Sequence, residues 1–398
     1  MSSPKRSPGS QSALRRANLA RVLDEVRLGG PMTQAEIARR TGLSAASVTN
    51  LVRLLSSEGL VQAQEALVAG RRSRIVTSSQ APGWVLGIDI GRTHICLALA
   101  DLGKRVVAEV RESNNAASSA AQGLELCRKL TEQLLEQAGV DKADILATAA
   151  CVPGPLDGAS GQIGAGALLP EWTGINLADR FQEALGLPVI VENDANLGAY
   201  GEWAWPSPRP LTGALAYLRL ATGIGCGLVL NGQLYRGSAG TAGEIGHMTI
   251  EENGRMCRCG NRGCLETVAS APVMLGILWS AMERRVDLPE WVRLARSGHT
   301  PSVRLMEEMA RYVGAAVANL ANLISPELVV LGGPVAEVGQ ILLDPVREEV
   351  LRRALPAPGQ AVRIELARHG GRSEVYGALH LATQAALASL PAAIVSLQ

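Results

Sequence analysis

Apolar residues near the start of the chain recur with a helical period. Leu19, Val22, Leu23 and Val26 fall at i, i+3, i+4 and i+7, so a helix is expected from Leu14 to Leu28, ended by Gly29-Gly30. A second helix begins at Thr33, where Glu36 three residues on gives the spacing of a capping box and Ile37 and Ala38 face inward. Thr41-Gly42-Leu43 makes a turn. Ser44 then caps a third helix to about Glu58, with Val48, Leu51, Val52 and Leu55 as its buried stripe. Leu60-Val61-Gln62 and Ile75-Val76-Thr77 read as two strands joined by a hairpin carrying Gly70-Arg71-Arg72-Ser73-Arg74. Beyond them the pattern changes to apolar runs broken by glycine. Trp84–Ile90 and Ile95–Leu102 read as strand, tight turn, strand. Leu215–Leu220 and Leu228–Leu230 repeat the unit around Ala-Thr-Gly-Ile-Gly-Cys-Gly227. Two such hairpins in separate halves predict a duplicated fold with a cleft between its lobes.

Composition narrows the class. With 398 residues, 47% hydrophobic content, 43 glycines and only 3% aromatic residues, the chain suits a glycine-turned α/β architecture of two or three domains. The expected divisions are a disordered Ser/Pro-rich tail at 1–12, a helix-and-hairpin unit at 13–77, a linker at 78–83 and a body at 84–398. Within the body, one lobe takes 84–195 with a C-terminal helix at 374–390, and the other takes 196–373. The N-terminus has no apolar core of a signal peptide, and no apolar run approaches the ~20 residues of a membrane span. A cytoplasmic protein without a membrane partner is expected.

The charge is unevenly spread. Residues 1–80 hold 12 Lys and Arg against 5 Asp and Glu, so within an overall +1 the remainder is net acidic. A basic head on an acidic body fits a DNA-binding module joined to a sensor. The third helix turns Ser44, Ala46, Thr49, Asn50 and Arg53 outward. Small and polar side chains of this kind suit a helix in the major groove, where Asn pairs with adenine and Thr touches a thymine methyl. Arg71, Arg72 and Arg74 in the hairpin suit phosphate or minor-groove contact. Three helices followed by a basic hairpin predict a winged helix-turn-helix, acting as a dimer on an inverted repeat of double-stranded DNA.

Seven cysteines are present, and three crowd into eight residues. His247, Cys257, Cys259 and Cys264 give H-x9-C-x-C-x4-C, one imidazole and three thiolates, a set suited to tetrahedral zinc. With four protein ligands no position remains for water, so one structural zinc per chain is expected. Gly254, Gly260 and Gly263 let the short loop fold back. Cys96, Cys127, Cys151 and Cys226 lie in apolar segments and read as ordinary buried thiols.

Leu220–His247, Glu192-Asn-Asp-Ala-Asn196, the cysteine loop to Glu266 and Leu328-Val-Val-Leu-Gly-Gly333 together resemble the ROK family of repressors and sugar kinases, over about Trp84 to the C-terminus. With the head in front, the resemblance is to the xylose- and glucose-type repressors. It implies an actin-like, two-lobed α/β kinase fold assembled as a dimer or tetramer. It also implies that Asn193, Asp194, Glu244, His247 and Glu266 hold a sugar effector, with His247 on the metal through one ring nitrogen and on the sugar through the other. Asn193 and Asp194 follow an apolar strand, a place where α/β sheets present ligand groups. Trp172 is open between a stacking face for the sugar and a core position.

In the family's kinases, Asp194 would be the base on the sugar hydroxyl and two glycine turns would cradle ATP. The kinase form of the first turn is Asp-x-Gly-Gly-Thr. Here it reads Asp89-Ile-Gly91-Arg92-Thr93, with a bulky Arg where backbone must approach phosphate. The second turn, Thr222, Gly223, Gly225 and Gly227, stays close to the kinase form. The nucleotide loop therefore reads as vestigial, no residue is assigned a catalytic role, and a sugar-responsive repressor is expected. An ATP-dependent sugar kinase with an appended DNA-binding head is the alternative.

Overall fold

The computed structural model describes residues 9–57, 59–68, 71–79, 83–113, 120–157, 162–163 and 172–389, without the side chains of 9–14, 16, 17, 27, 28, 67, 68 and 71. The head comprises α1 (Gly9–Gly29), β1 (Met32–Thr33), α2 (Gln34–Thr41), α3 (Ala45–Ser57), β2 (Val61–Val68) and β3 (Arg71–Ser78). Its strands pair in the order β1-β3-β2. Leu19, Val22, Leu23 and Val26 of α1 are buried against Ile37 of α2 and the stripe Val48, Leu51, Val52, Leu55 of α3. Gly42 takes the left-handed turn between the two short helices at φ 68°, a conformation costly for residues with a Cβ.

Four local expectations need correcting. Helix α1 starts at Gly9, inside the expected disordered tail, because Ser10-Gln11-Ser12-Ala13 contains no proline or glycine to stop it; residues 1–8 lie outside the described residues. The capping box is half made: Thr33 accepts from the Glu36 amide at 3.2 Å, but the Glu36 carboxylate turns to Arg40 at 3.0 Å. A full charge attracts it more than an amide does. The hairpin strands are longer than expected, so Arg72 and Arg74 lie within β3, while Arg71 opens it beside the turn, paired with Val68; Gly70 lies outside the described residues. Ser78 pairs with Val61, and the Ser79 amide donates to Leu60 O at 3.1 Å, so the first two residues of the expected linker belong to the hairpin. Residues 80–82 and Glu58 lie outside the described residues.

The body holds two five-stranded sheets of the same design. The first contains β4 (Trp84–Ile90), β5 (His94–Asp101), β6 (Val106–Ser113), β7 (Ile145–Val152) and β8 (Val189–Asn193), flanked by α4 (Ala120–Ala138) and α5 (Leu177–Leu185). After α6 (Asp194–Ala204) comes the second, with β9 (Leu215–Leu220), β10 (Ile224–Leu230), β11 (Gln233–Leu234), β12 (Leu328–Gly332) and β13 (Arg363–Leu366). Its helices are α7 (Leu265–Ala269), α8 (Ala271–Met282), α9 (Leu288–Arg296), α10 (Thr300–Ile324), α11 (Gln340–Arg353) and α12 (Pro356–Ala361); α13 (Ser373–Ser389) follows. The orders are β6-β5-β4-β7-β8 and β11-β10-β9-β12-β13. In each sheet an antiparallel glycine-turned hairpin is extended by two parallel strands. The duplication read from the two hairpins therefore extends to whole sheets.

Helices α6 and α13 pack on each other between the sheets, α6 against β9 and β10 and α13 against β4 and β7. Only backbone fits where they cross: a Cβ on Gly377 would collide with Leu197 O, and one on Gly201 with Ser373 O. Apolar contact runs without a break from Val22 and Leu55 in the head to Ala98 and Leu379 in the body, and α1 also packs on α13. Leu265–Met282 is long and apolar enough to cross a membrane by length and composition, contrary to the expectation that no run approaches that length. It is α7 and α8, separated by Ser270, with Leu265, Ala269, Met274 and Leu278 in the body's core.

Candidate functional site

The head offers one polar face. Ser44 accepts from the Ser47 amide at 3.1 Å, and Ala46, Asn50 and Arg53 are exposed along α3. Thr49 is less available than its position implies, because its hydroxyl donates to Gln34 Oε1 at 3.1 Å and Ala45 O at 2.9 Å. Its methyl remains outside those bonds. Arg72 and Arg74, two residues apart on β3, share a face and are exposed. The side chain of Arg71 lies outside the described ones. Among the described residues, Arg53, Arg72 and Arg74 make no ion pair, so their guanidinium groups are available to an external anion.

The second feature is a cavity of about 370 Å³ between the sheets, lined by all five residues of the expected sugar set. Asn193 and Asp194 enter from the junction of β8 and α6, where Asn193 caps the helix by accepting from the Asn196 amide at 3.1 Å. Its Nδ2 donates to Gly154 O at 2.9 Å, which fixes the side chain's orientation and uses part of its capacity. Asp194 accepts from the Ala195 amide at 2.8 Å and pairs with Arg219 at 3.3 Å. From the opposite wall, Glu266 accepts from the Ile224 amide at 2.8 Å and from Arg258 at 2.7 Å. Glu244 is half-exposed, 3.9 Å from His247 Nε2. Each carboxylate except Glu244 thus already holds protein donors.

Arg219 is the residue that the sequence reading missed. A cation in the apolar strand Leu-Ala-Tyr-Leu-Arg-Leu was the available signal. It is buried, held between Asp194 and Glu374 (3.0 Å), and Glu374 also accepts from Tyr217 at 2.9 Å. Burial pushes the pKa values of Asp194 and Glu374 up against the pull of Arg219, and the nearby Asp89 charge adds to the rise. Asp89 itself is sealed: His94 lies 2.8 Å from one oxygen and the Cys151 thiol donates to the other at 3.2 Å. Burial raises its pKa, but His94 and Arg219 outweigh that and hold it below the usual carboxylate value. Arg258, on the cysteine loop, was also missed; no periodicity marks it.

The loop is folded as its glycines require. Gly260 and Gly263 take φ of 94° and 64°, and a Cβ on Gly263 would collide with Glu251 O. The Ile250 amide donates to Gly263 O at 2.7 Å, tying the two ends of the loop together, and Cys257 N donates to Asn261 O at 2.7 Å, closing a short turn within it. The ligand atoms of His247, Cys257, Cys259 and Cys264 all lie within 4.8 Å of one another. Cys259 and Cys264 sulfurs are 3.7 Å apart, and His247 Nδ1 is 3.6 Å from Cys257 Sγ. Metal–sulfur bonds of about 2.3 Å and metal–nitrogen bonds of about 2.0 Å in a tetrahedron require S–S and S–N edges of about 3.8 and 3.5 Å. The four residues fit a metal ion, with His247 Nε2 left facing the cavity. Cys96 and Cys226 are buried thiols, pushed up to about 12, and Cys127 and Cys151 are buried too.

The two glycine turns face each other. Arg92 and Thr222 line one cavity with Met256 and Arg258, and Gly223 and Gly225 line the larger one. Gly227 lies against α6, where a Cβ would collide with Ala195 O, and Gly91 against the His94 ring. Thr93 is exposed beside Arg92. Trp172 lies in the core behind the first sheet, 3% exposed and 6.4 Å from Phe181, away from the cavity. Its apolar setting decides for the core.

Residues 85–385 match the ROK family. The chain belongs to the ROK family. Residues 20–72 of this ROK protein match the MarR family, consistent with the winged helix described above. A xylose repressor of Bacillus spizizenii is 29% identical over 358 residues, spanning 89% of this chain and 91% of that one. A glucokinase of Halalkalibacterium halodurans is 31% identical over 309 residues, covering 74% of this chain and 93% of its own length. The crystal structure of a ROK family transcriptional regulator, a homolog of the E. coli MLC protein, matches at TM-score 0.77 with 24% identity, covering 95% of this chain and 98% of that one. The ROK fold is thus common to repressor and kinase relatives, and the ROK repressor match extends over the greater share of this chain.

Proposed function

We propose that this ROK protein is a sugar-responsive transcriptional repressor of the cytoplasm, working as a homodimer or tetramer on an inverted repeat. The observation that carries the reading is the joining of two surfaces in one chain. Arg53, Arg72 and Arg74, without an ion pair among the described residues, stand with exposed Asn50 on the head, and a cavity lined by Asn193, Asp194, Glu244, His247 and Glu266 lies in the body. The division into head, linker and two lobes follows: the head docks on DNA, and a monosaccharide or close derivative bridges the lobes. The ion at His247, Cys257, Cys259 and Cys264 is structural zinc, one per chain. It supplies rigidity to the loop that carries Glu266 and fixes the His247 ring so that Nε2 can meet a hydroxyl.

Sugar binding exchanges partners at Glu266 and Asp194, whereas Glu244 receives a hydroxyl without displacing a protein donor. A ring hydroxyl at Glu266 replaces Arg258, and one at Asp194 shares the carboxylate with Arg219. Such exchange ties closure of the cleft to the ligand, which shifts the open–closed balance only by its differential affinity, typically about 1–3 kcal/mol. Phosphoryl transfer is not part of the reading. Asp194, the base of a kinase, is clamped by Arg219, Asp89 is closed off by His94 and Cys151, and Arg92 stands in the first turn. The test is footprinting of the full-length protein on the DNA upstream of its own gene, with and without a panel of sugars, beside a coupled assay for ATP turnover. Protection of an inverted repeat that changes with one sugar, without turnover, is expected. Sugar-dependent turnover would replace this reading by the kinase.

A further inference from the structure

Arg219 is a buried cation on the wall of the sugar cavity. On β9 it has glycine beside it on both neighbouring strands, Gly225 of β10 and Gly332 of β12, which leaves room for its guanidinium. Its Nε lies 3.0 Å from Glu374 and 3.3 Å from Asp194. Nη1 and Nη2 carry the rest of the arginine's N–H donors. They have no hydrogen-bond partner among the described residues, although Arg219 is only 9% exposed. They open on the cavity, which the residue lines. A charged fork held away from bulk water is costly until acceptors meet it, and its parallel N–H groups suit two adjacent oxygens. The surrounding charge selects among such oxygens. Asp194, Glu244 and Glu266 line the cavity against Arg219 and Arg258, and buried Asp89 and Glu374 act on the same guanidinium. An anion would add to this acidic excess, so uncharged oxygens are favoured.

We propose that Arg219 is a specificity-determining residue of this cavity, its two Nη groups donating to adjacent hydroxyl oxygens of the ligand while Asp194 accepts the hydrogen of one of them. The proposal rests on the assignment of the cavity to a sugar and adds which part of it is read, an uncharged vicinal diol. A hydroxyl both accepts and donates, so one oxygen bridges Arg219 and Asp194 without breaking their ion pair. A sugar lacking that oxygen leaves an N–H and a carboxylate unmet, and a site built to hydrogen-bond a hydroxyl rejects the analogue without it.

The experiment is calorimetric titration of the full-length protein and of Arg219→Lys, each checked by circular dichroism. Lysine keeps the charge beside Asp194 and Glu374 but has no fork. The probes are glucose, xylose, the monodeoxy forms of each, and glucuronate. The better parent sugar should bind Arg219→Lys about tenfold more weakly than wild type. One of its deoxy forms should bind wild type about tenfold more weakly than the parent, yet bind Arg219→Lys as the parent does, because the missing oxygen and the missing fork are one contact. Equal binding of the parent sugar by both proteins, or equal deoxy penalties in both for every form, overturns the proposal while leaving the sugar site standing. Should Arg219→Lys fail to fold, wild type alone decides: deoxy forms that all bind like the parent, or glucuronate that binds more tightly than glucose, overturn it. If neither parent sugar binds wild type, the sugar reading of the cavity falls and takes this proposal with it.

Discussion

Lys104 of the body holds its ammonium 3.0 Å from the Asp24 carboxylate of the head; the lysine is buried and the aspartate partly so. Lys104 sits between β5 and β6, and the same ammonium lies 3.5 Å from the carbonyl of Ala204, the last residue of α6. The first residue of α6 is Asp194. One rod of 11 residues, roughly 16 Å long, therefore has a proposed sugar carboxylate at its start and the head contact at its end. Breaking the pair removes the ammonium that faces Asp24 across the contact of head and body. Lys104→Met should lower stability by about 3 kcal/mol in urea unfolding and shrink the sugar-induced change in operator affinity. An undiminished sugar response would make the pair merely structural.

The head's arginines should act by charge. Arg72→Ala and Arg74→Ala should each weaken binding to every duplex and flatten the salt dependence by about one unit per lost phosphate contact. Asn50→Ala should instead relax sequence preference. Fluorescence anisotropy at several salt concentrations, on operator and scrambled DNA, separates the two. Equal salt slopes for wild type and both arginine variants would remove β3 from the interface.

Freshly purified protein, never exposed to chelator, should contain about one zinc per chain by elemental analysis. Cys259→Ser should lose the metal and lower the melting temperature. Because Glu266 and His247 share that loop, it should also abolish sugar binding. A variant without zinc that still responds fully to sugar would separate the two sites.

Asp194→Asn keeps the shape of the side chain and removes half of what faces Arg219. DNA affinity without sugar should stay within about twofold, since the residue lies at the far end of α6 from the head, whereas sugar affinity should fall about tenfold or more, as expected for losing a charged hydrogen bond. The measurement is sugar titration of the operator complex. An equal midpoint for both proteins would move the effector site elsewhere.

His380 on α13 gives a pH dependence. Burial and the charge of Lys104 hold its pKa well below 6.5; the rings of Tyr200 and Trp203 and the amide of Gln384 pack around it. As pH falls through about 6.5 the unfolded chain takes up a proton that the folded chain refuses. Stability is therefore complete above that pH and is lost below it, by up to about 1.4 kcal/mol per unit. His380→Gln should flatten this part of the urea-midpoint profile between pH 7.5 and 5. His369, also lowered by burial, is unchanged in the variant, so the difference isolates His380. Superimposable slopes would contradict the assignment.

The sequence by itself determined what depends on neighbours along the chain. His247 and the three cysteines lie within 18 residues on a glycine-rich loop, so their spacing alone implies that they converge. The stripes of α1 and α3 and the two glycine-turned hairpins follow from periods of 3.6 and 2, and the duplication of the sheets follows from the hairpins. Only the tertiary structure decided which side chains have already spent their hydrogen bonds. Thr49 is taken by Gln34, Asn193 by Gly154, and Glu266 by Ile224 and Arg258. Trp172 was indeterminate until its apolar surroundings were known. Arg219 meets a glutamate 155 residues away, and Lys104 an aspartate 80 residues away. Periodicity reports which face of an element is buried. The partner a buried charge finds there is fixed by how whole sheets and helices pack, and no local pattern encodes it.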